Sequence, residues 1–256
     1  MFVVGDVHGH LDTLVRLLRT SGLIGDTHAW TGSTAHLWFI GDLFDRGPDG
    51  VGVVELLMRL EREATTAGGL VGALLGNHDA MILAARRFGN LATSGPGGSF
   101  LTDWHLNGGQ DGDLARLGGR QIAWLTDRPA MALADGALLM HADATFYERY
   151  GASVADVNMG IQHILESDDP AAWDRLLDDF RQRLAFWERP AEAERLLQRY
   201  GGRCIIHGHT PIAKMTGGRD TDVTAALRYA GGRCINVDGG IYRGGPGFVF
   251  EWEAAG

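Results

Sequence analysis

An α/β fold is predicted by three observations. Short apolar runs at Phe2–Val4, Leu37–Ile40 and Leu70–Leu75 read as buried strands, each closed by a glycine. Residues with helical spacing of apolar side chains lie between these runs, so the strands form βαβ units and run parallel. Each strand ends in a Gly-Asp or Gly-Asn element, which gathers polar residues from distant parts of the chain at one sheet edge.

The first strand delivers Gly5-Asp6-Val7-His8-Gly9, after which Leu11, Leu14, Val15 and Leu18 mark a helix with one apolar face. Asp6 and His8 therefore sit where open α/β sheets bind ligands, although a polar turn with a capping histidine explains the pair alone. Residues 22–35, rich in Gly, Thr and Ser, read as a loop. The second strand feeds Gly41-Asp42-Leu43-Phe44-Asp45-Arg46-Gly47, two carboxylates and a guanidinium in one turn. Such a turn is costly unless its charges find partners. A metal cation on Asp42 and a bound anion on Arg46 would be such partners, and a solvated turn is the alternative. Val53, Leu57, Leu60 and Ala64 give a helix stopped by Gly68-Gly69. The third strand then ends at Gly76-Asn77-His78-Asp79, with a helix continuing to Phe88.

From Gly89 to Gly119 the composition shifts to Gly, Ser, Asn and Asp with Phe100 and Trp104 interspersed, which suggests a cap or specificity insertion over about 89–130. Met131–Ala134 and Ala137–His141 read as a hairpin about an Asp-Gly turn, with His141 ending its second strand. Ser153 and Asp156 open a helix carrying Val157 and Ile161. Asp169-Pro170 starts another, with an apolar stripe from Trp173 to Leu184, and Pro190 starts a third that stops at Gly201-Gly202. Arg189 falls in the turn between them, where a surface charge is the plain reading. Two late strands, Arg203–Ile206 and Arg233–Val237, lead into His207-Gly208-His209-Thr210-Pro211 and Asp238-Gly239-Gly240, and Gly247–Trp252 is the final strand.

At 256 residues the chain is long enough for one domain over 1–256 with a substantial core. Its 23 basic and 32 acidic residues give a net charge of −9 without any Lys/Arg-rich run, which argues against nucleic acid as a partner. The same balance repels phosphorylated substrates at long range, so any phosphate site must carry local positive charge. Cys204 and Cys234 form no motif and read as reduced core thiols. The motif at Gly5 leaves no room for a signal peptide, and no apolar stretch approaches membrane length, so a cytoplasmic protein without a membrane partner is expected.

Taken together, GDVHG, GDLFDRG, GNHD, a strand-terminal histidine and GHT, in that order, resemble the calcineurin-like metallophosphoesterases. The Asp-Arg-Gly ending is similar to the phosphoprotein phosphatase branch, in particular its bacterial serine/threonine phosphatases. The resemblance runs from residue 1 to about Gly240 and implies a two-sheet β sandwich of mixed strands flanked by helices. It implies two divalent ions, manganese first and iron or zinc as options: Asp6, His8 and Asp42 on one, Asp42, Asn77, His141 and His209 on the other. Two such ions, roughly 3.5–4 Å apart, lower the pKa of a bridging water and clamp a phosphate for in-line attack. His78 matches the general acid, Asp45 the residue that orients it, and Arg46 a phosphate-binding arginine. Asn77 also lies beside the expected substrate. Trp187-Glu188-Arg189 resembles the Trp-x-Arg that supplies a second phosphate-binding arginine.

The chain departs from the pattern in three places. Asp79 replaces the usual glutamate, as in bacterial diadenosine tetraphosphatases. Asn236–Gly240 replaces the eukaryotic carboxyl-terminal signature. Pro211 stands where wider relatives carry a further histidine, which leaves one coordination position of the first metal to water. The expected substrate is a phosphoprotein bearing phosphoserine, phosphothreonine or phosphotyrosine. A dinucleoside tetraphosphate is the alternative, and an inactive interaction scaffold is a third reading of another class. Of the two imidazoles in His207-Gly208-His209, the Gly-His-Thr motif selects His209 as the ligand.

Overall fold

In the computed structural model, which describes residues 1–253, the first half alternates as the periodicity predicts. The order is β1 (Phe2–Val4), α1 (Leu11–Thr20), β2 (His36–Phe39), α2 (Gly50–Thr66), β3 (Leu70–Ala73) and α3 (Asn77–Phe88). Residues 89–130, where composition points to a cap or specificity insertion, hold three short helices, α4 (Phe100–Leu106), α5 (Asp111–Arg116) and α6 (Gly119–Thr126), none long enough to show a period in sequence. The hairpin β4 (Met131–Ala134) and β5 (Ala137–Met140) turns through Asp135 (φ 46°) and Gly136 (φ 75°), the left-handed pair that a tight hairpin needs.

The second half continues with α7 (Val154–Glu166), α8 (Pro170–Asp179), α9 (Ala185–Glu188), α10 (Pro190–Tyr200), β6 (Cys204–His207), α11 (Ile212–Thr216), β7 (Leu227–Tyr229), β8 (Cys234–Asn236) and β9 (Val249–Glu251). Ser153 caps α7 through the Asp156 amide, and that residue's side chain returns to the Ser153 amide. The stripe expected to reach Leu184 stops at Asp179. Leu184 is left-handed (φ 64°), its N–H held by the Asp143 carboxylate (2.9 Å) and the next N–H by the Asp143 carbonyl (2.9 Å), so a tertiary contact ends what local periodicity would extend. The three-residue edge strand β7 carries too little pattern to be seen in advance.

One sheet has the order β3-β2-β1-β9 with β1, β2 and β3 parallel, and the other β4-β5-β6-β8-β7 with β5, β6 and β8 parallel. Val3, Ile40 and Leu74 from the first pack against Leu139, Ile206 and Ile235 from the second, so the sheets meet face to face through an apolar layer. The larger core lies beneath the helices. Both sheets direct the carboxyl ends of their parallel strands to one edge, where Asp6, Asp42, Asn77, His141, His209 and Asp238 follow the strands. Cys204 and Cys234 are buried and unpaired. Among the described residues no helix is long and apolar enough to cross a membrane.

Candidate metal centre

The backbone at this edge is unusually constrained. Of the ten described non-glycine residues with positive φ, five are His8 (48°), Asp42 (52°), Asp45 (70°), Arg46 (68°) and His209 (69°). Each such residue costs of order 1–3 kcal/mol, so the surroundings must hold it in place. The Asp42 carbonyl takes the N–H groups of Val7 (3.1 Å) and His8 (2.9 Å). The Asp79 carboxylate takes those of Gly76 (2.9 Å), Asp42 (3.0 Å) and Leu43 (2.9 Å), tying the loop after β2 to the start of α3. Burial, with the Asp42 charge second, pushes the Asp79 carboxyl up to about 6. Glycine is required at Gly76 and Gly208, where a Cβ would lie 2.3 Å from an Asp42 oxygen and 2.1 Å from an Asp6 oxygen.

Asp42, Asn77, His141 and His209 converge. His141 Nδ1 donates to the Ile40 carbonyl (2.9 Å), which aims Nε2 at Asp42 Oδ1 (3.3 Å) and Asn77 Oδ1 (3.0 Å). His209 Nδ1 lies 2.9 Å from the same amide oxygen and 3.2 Å from His141 Nε2, while its buried Nε2 has no partner. Lone-pair atoms pointed at one another need a cation between them. In the protein alone a proton on His141 serves: burial pulls its pKa down, but Asp42 more than offsets this and holds it at about 9. Asp42 is correspondingly low, its burial outweighed by His141, His78 and His8. Burial and the His141 charge keep His209 neutral, the form that ligates metal.

On the other side of Asp42, His8 Nδ1 donates to the Phe44 carbonyl (2.9 Å) and presents Nε2, 3.7 Å from Asp42 Oδ2 and 3.9 Å from Asp6 Oδ2. Burial first, then His78, holds His8 well below its usual pKa. Burial and the neighbouring Asp238 raise Asp6, whose oxygens accept the His209 amide (3.1 Å). The Arg46 guanidinium donates to His8 Nε2 (2.6 Å) and His78 Nε2 (2.8 Å) and lies 4.0 Å from the Tyr242 ring centre. His78 Nδ1 donates to Asp45 Oδ2 (2.7 Å). Two sets of ligand atoms each fall within 4.8 Å, His8 with Asp42 and His78, and Asp42 with His141 and His209; Asp42 is common to both. A shared carboxylate, an amide oxygen and imidazoles, with His141 giving up its proton as the cation arrives, suit a pair of divalent ions.

Residues 1–213 match the calcineurin-like phosphoesterases. The chain belongs to that family. A Shewanella-like protein phosphatase 2 of Arabidopsis thaliana is 35% identical over 81 residues, 32% of this chain and 21% of the relative. A symmetrical bis(5'-nucleosyl)-tetraphosphatase of Bordetella pertussis is 32% identical over 142 residues, 56% of this chain and 43% of the relative. The chain thus covers less than half the length of either. The fold is shared with a cold-active protein-tyrosine phosphatase of a Shewanella species, at TM-score 0.74 and 22% identity over 97% of this chain and 73% of that one.

Within this calcineurin-like phosphoesterase, Asp6, His8, Asp42, Asp45, Arg46, Asn77, His78, His141 and His209 come together at the strand ends, and Arg189 does not. Its guanidinium is 62% exposed and faces Glu192 (3.5 Å), because Arg189 ends α9 and turns outward ahead of Pro190. Two arginines, Arg181 and Arg183, share a cleft with Asn77, Phe100, Asn107 and Phe180, and the Arg183 charge helps lower His209. His207 stays in β6 and points away from the centre, with Nε2 2.7 Å from the Tyr229 hydroxyl and Nδ1 3.0 Å from the Gly208 carbonyl. Strand alternation would put both histidines on one face, but His209 lies past the strand in a left-handed turn.

The sequence motifs assign no site role to Asp238, Trp104 or Tyr242, which the fold brings to the centre. Asp238 is 1% exposed, one oxygen accepting the Gly240 amide (2.9 Å) and the other unpartnered, and burial lifts it to about 7. Its signal was present, since it follows β8 in the same strand-then-Asp-Gly arrangement as the other motifs.

Proposed function

We propose that this protein is a metal-dependent phosphatase hydrolysing phosphomonoesters of phosphoproteins, at phosphoserine, phosphothreonine or phosphotyrosine, with manganese as the first choice of metal. The observation that carries this reading is the His78–Asp45 pair, 2.7 Å apart and buried, set within reach of Arg46 and beside the Asp42, Asn77, His141 and His209 cluster. Asp6, His8 and Asp42 would hold one divalent ion, and Asp42, Asn77, His141 and His209 the other. Two such ions, when bound, supply Lewis-acid stabilisation of the phosphoryl oxygens and an acidified water.

The remaining work falls to the chain's own groups. Arg46, whose terminal nitrogens rest on His8 Nε2 and His78 Nε2, would turn its planar fork to the non-bridging phosphate oxygens, and the Tyr242 ring beneath limits where the guanidinium can swing. Asp45 accepts from His78 Nδ1, which turns Nε2 toward the leaving oxygen. Water bonds to phosphorus as the P–O bond to the leaving oxygen breaks; that oxygen takes the bonding pair and a proton from His78 Nε2, which accepts from Arg46 in the resting protein and has to take up that proton before it can give it. Arg189 has no part in this reading because it faces solvent, and of the two cleft arginines Arg183, whose charge reaches His209, would be the second cation for the phosphate.

Hydrolysis of a dinucleoside tetraphosphate is the second reading, favoured by the longer match to the Bordetella tetraphosphatase and by Asn77-His78-Asp79. The Asp45-Arg46 pair favours the protein phosphatase. A turnover panel of phosphopeptides, nucleotides and diadenosine tetraphosphate in the presence of Mn²⁺ decides between them. Phosphopeptide turnover above all nucleotides is expected, and preferential cleavage of diadenosine tetraphosphate would reverse the order.

A further inference from the structure

The acid pair has a third member outside every motif. Trp104, in α4, is fully buried, and its indole N–H donates to Asp45 Oδ1 at 2.7 Å while Oδ2 takes His78 Nδ1 at 2.7 Å. Each carboxylate oxygen thus has its own donor, so Asp45 cannot rotate without breaking one hydrogen bond or the other. A buried tryptophan commonly needs only some acceptor for its N–H. Elsewhere in this chain the indoles of Trp30, Trp173 and Trp252 use backbone carbonyls, and that of Trp124 uses the partly exposed Glu61 carboxylate (2.7 Å), which is remote from the strand-end cluster. Trp104 instead uses the carboxylate that orients His78.

The seat of the indole is shaped for this contact. A Cβ at Gly109 would lie 2.3 Å from the ring, so only glycine lets the chain pass there. The adjoining Gly108 carbonyl accepts the Arg46 amide (2.7 Å), and Ser99 caps α4 through the Thr102 amide (3.2 Å). One rigid turn therefore grips Asp45 by its side chain and Arg46 by its backbone.

Resting on the phosphoesterase reading, we propose that Trp104 is a positioning residue for proton transfer, holding Asp45 so that His78 Nε2 meets the leaving oxygen. It touches neither substrate nor metal in this role. Its removal acts only where a proton is required, which means on substrates with poor leaving groups.

The experiment replaces Trp104 by Phe, keeping a ring and deleting the N–H, and measures kcat and KM on alkyl, phenyl and nitrophenyl phosphates with the Mn²⁺-loaded protein. The expected result is a loss in kcat of roughly 10–100-fold on alkyl phosphates, the scale on which outer partners of site residues act, with KM and nitrophenyl turnover nearly unchanged. His78→Ala should mask the effect, so that the double variant is no slower than His78→Ala alone. In metal-free protein the His78 Nδ1–H proton resonance should shift or broaden in the variant. Equal losses across leaving groups, or losses that add to those of His78→Ala, would show packing alone and overturn the assignment. Should Trp104→Phe fail to fold, benzothienylalanine, an isostere of tryptophan without the N–H, carries the same test. Wild-type protein with no metal-dependent turnover on any of these esters overturns the phosphoesterase reading itself, and the role of Trp104 with it.

Discussion

The loops that follow β1, β2 and β3 and the segment from Gly89 to Thr126 serve the same centre by different means. The loops carry chemistry in consecutive residues: a strand ends, a glycine lets the backbone turn, and Asp6, Asp42 or Asn77 is delivered. The segment delivers no candidate ligand. It contributes the Trp104 indole to Asp45, the Gly108 carbonyl to Arg46 and the Asp113 carboxylate to the first amides of α2, at 2.8 Å to Gly50 and 3.1 Å to Val51. Reactive groups are local in sequence, whereas the groups that restrain them come from wherever the fold returns the chain.

The comparison breaks most visibly at Asp42, the one side chain common to both ligand clusters. Asp42→Asn should nearly abolish turnover, and chelator-treated protein should be inactive and recover with Mn²⁺. Full activity without metal would remove the loops from their assigned role. Next in size is His78→Ala, which should cost about 10²–10⁴-fold on alkyl phosphates and far less on nitrophenyl phosphate. Equal losses on the two would take His78 out of proton transfer.

The two histidines of the loop after β6 sharpen the contrast within three residues. His209→Ala should weaken one metal by more than the about 10–100-fold that loss of an outer partner costs. His207→Ala should leave both bound, since its ring faces Tyr229. Elemental analysis of the two purified variants separates the cases, and metal loss confined to the His207 variant would exchange their roles.

The smallest effects belong to the supporting segment. Asp113→Ala strands two buried amides at the start of α2 and should lower stability by about 1–3 kcal/mol with the metal ligands intact. Gly108→Ala forces a side chain into a left-handed residue (φ 97°), with its Cβ 2.8 Å from the Arg46 side chain, and should cost about 1 kcal/mol or more. Denaturant unfolding of each checks these values, and a Gly108→Ala protein as stable as the wild type would mean that the turn does not constrain Arg46.

From its residues alone this chain specified the parallel βαβ start, the hairpin at Asp135-Gly136 and the polar strand ends, because each depends on periodicity or on a few adjacent side chains. The motifs likewise group Asp6, His8, Asp42, Asn77, His78, His141 and His209, since each belongs to a motif that closes a strand. Tertiary structure decided what depends on direction and distance. It turned Arg189 outward toward Glu192 and put Arg183 on the cleft, ended α8 at Asp179 where Asp143 captures the amides of Leu184 and Ala185, and rotated His209 away from the face of His207. It also brought the Trp104 indole against Asp45 across 59 residues of sequence. Such a hydrogen bond joins groups with no fixed spacing along the chain, so no local pattern records it.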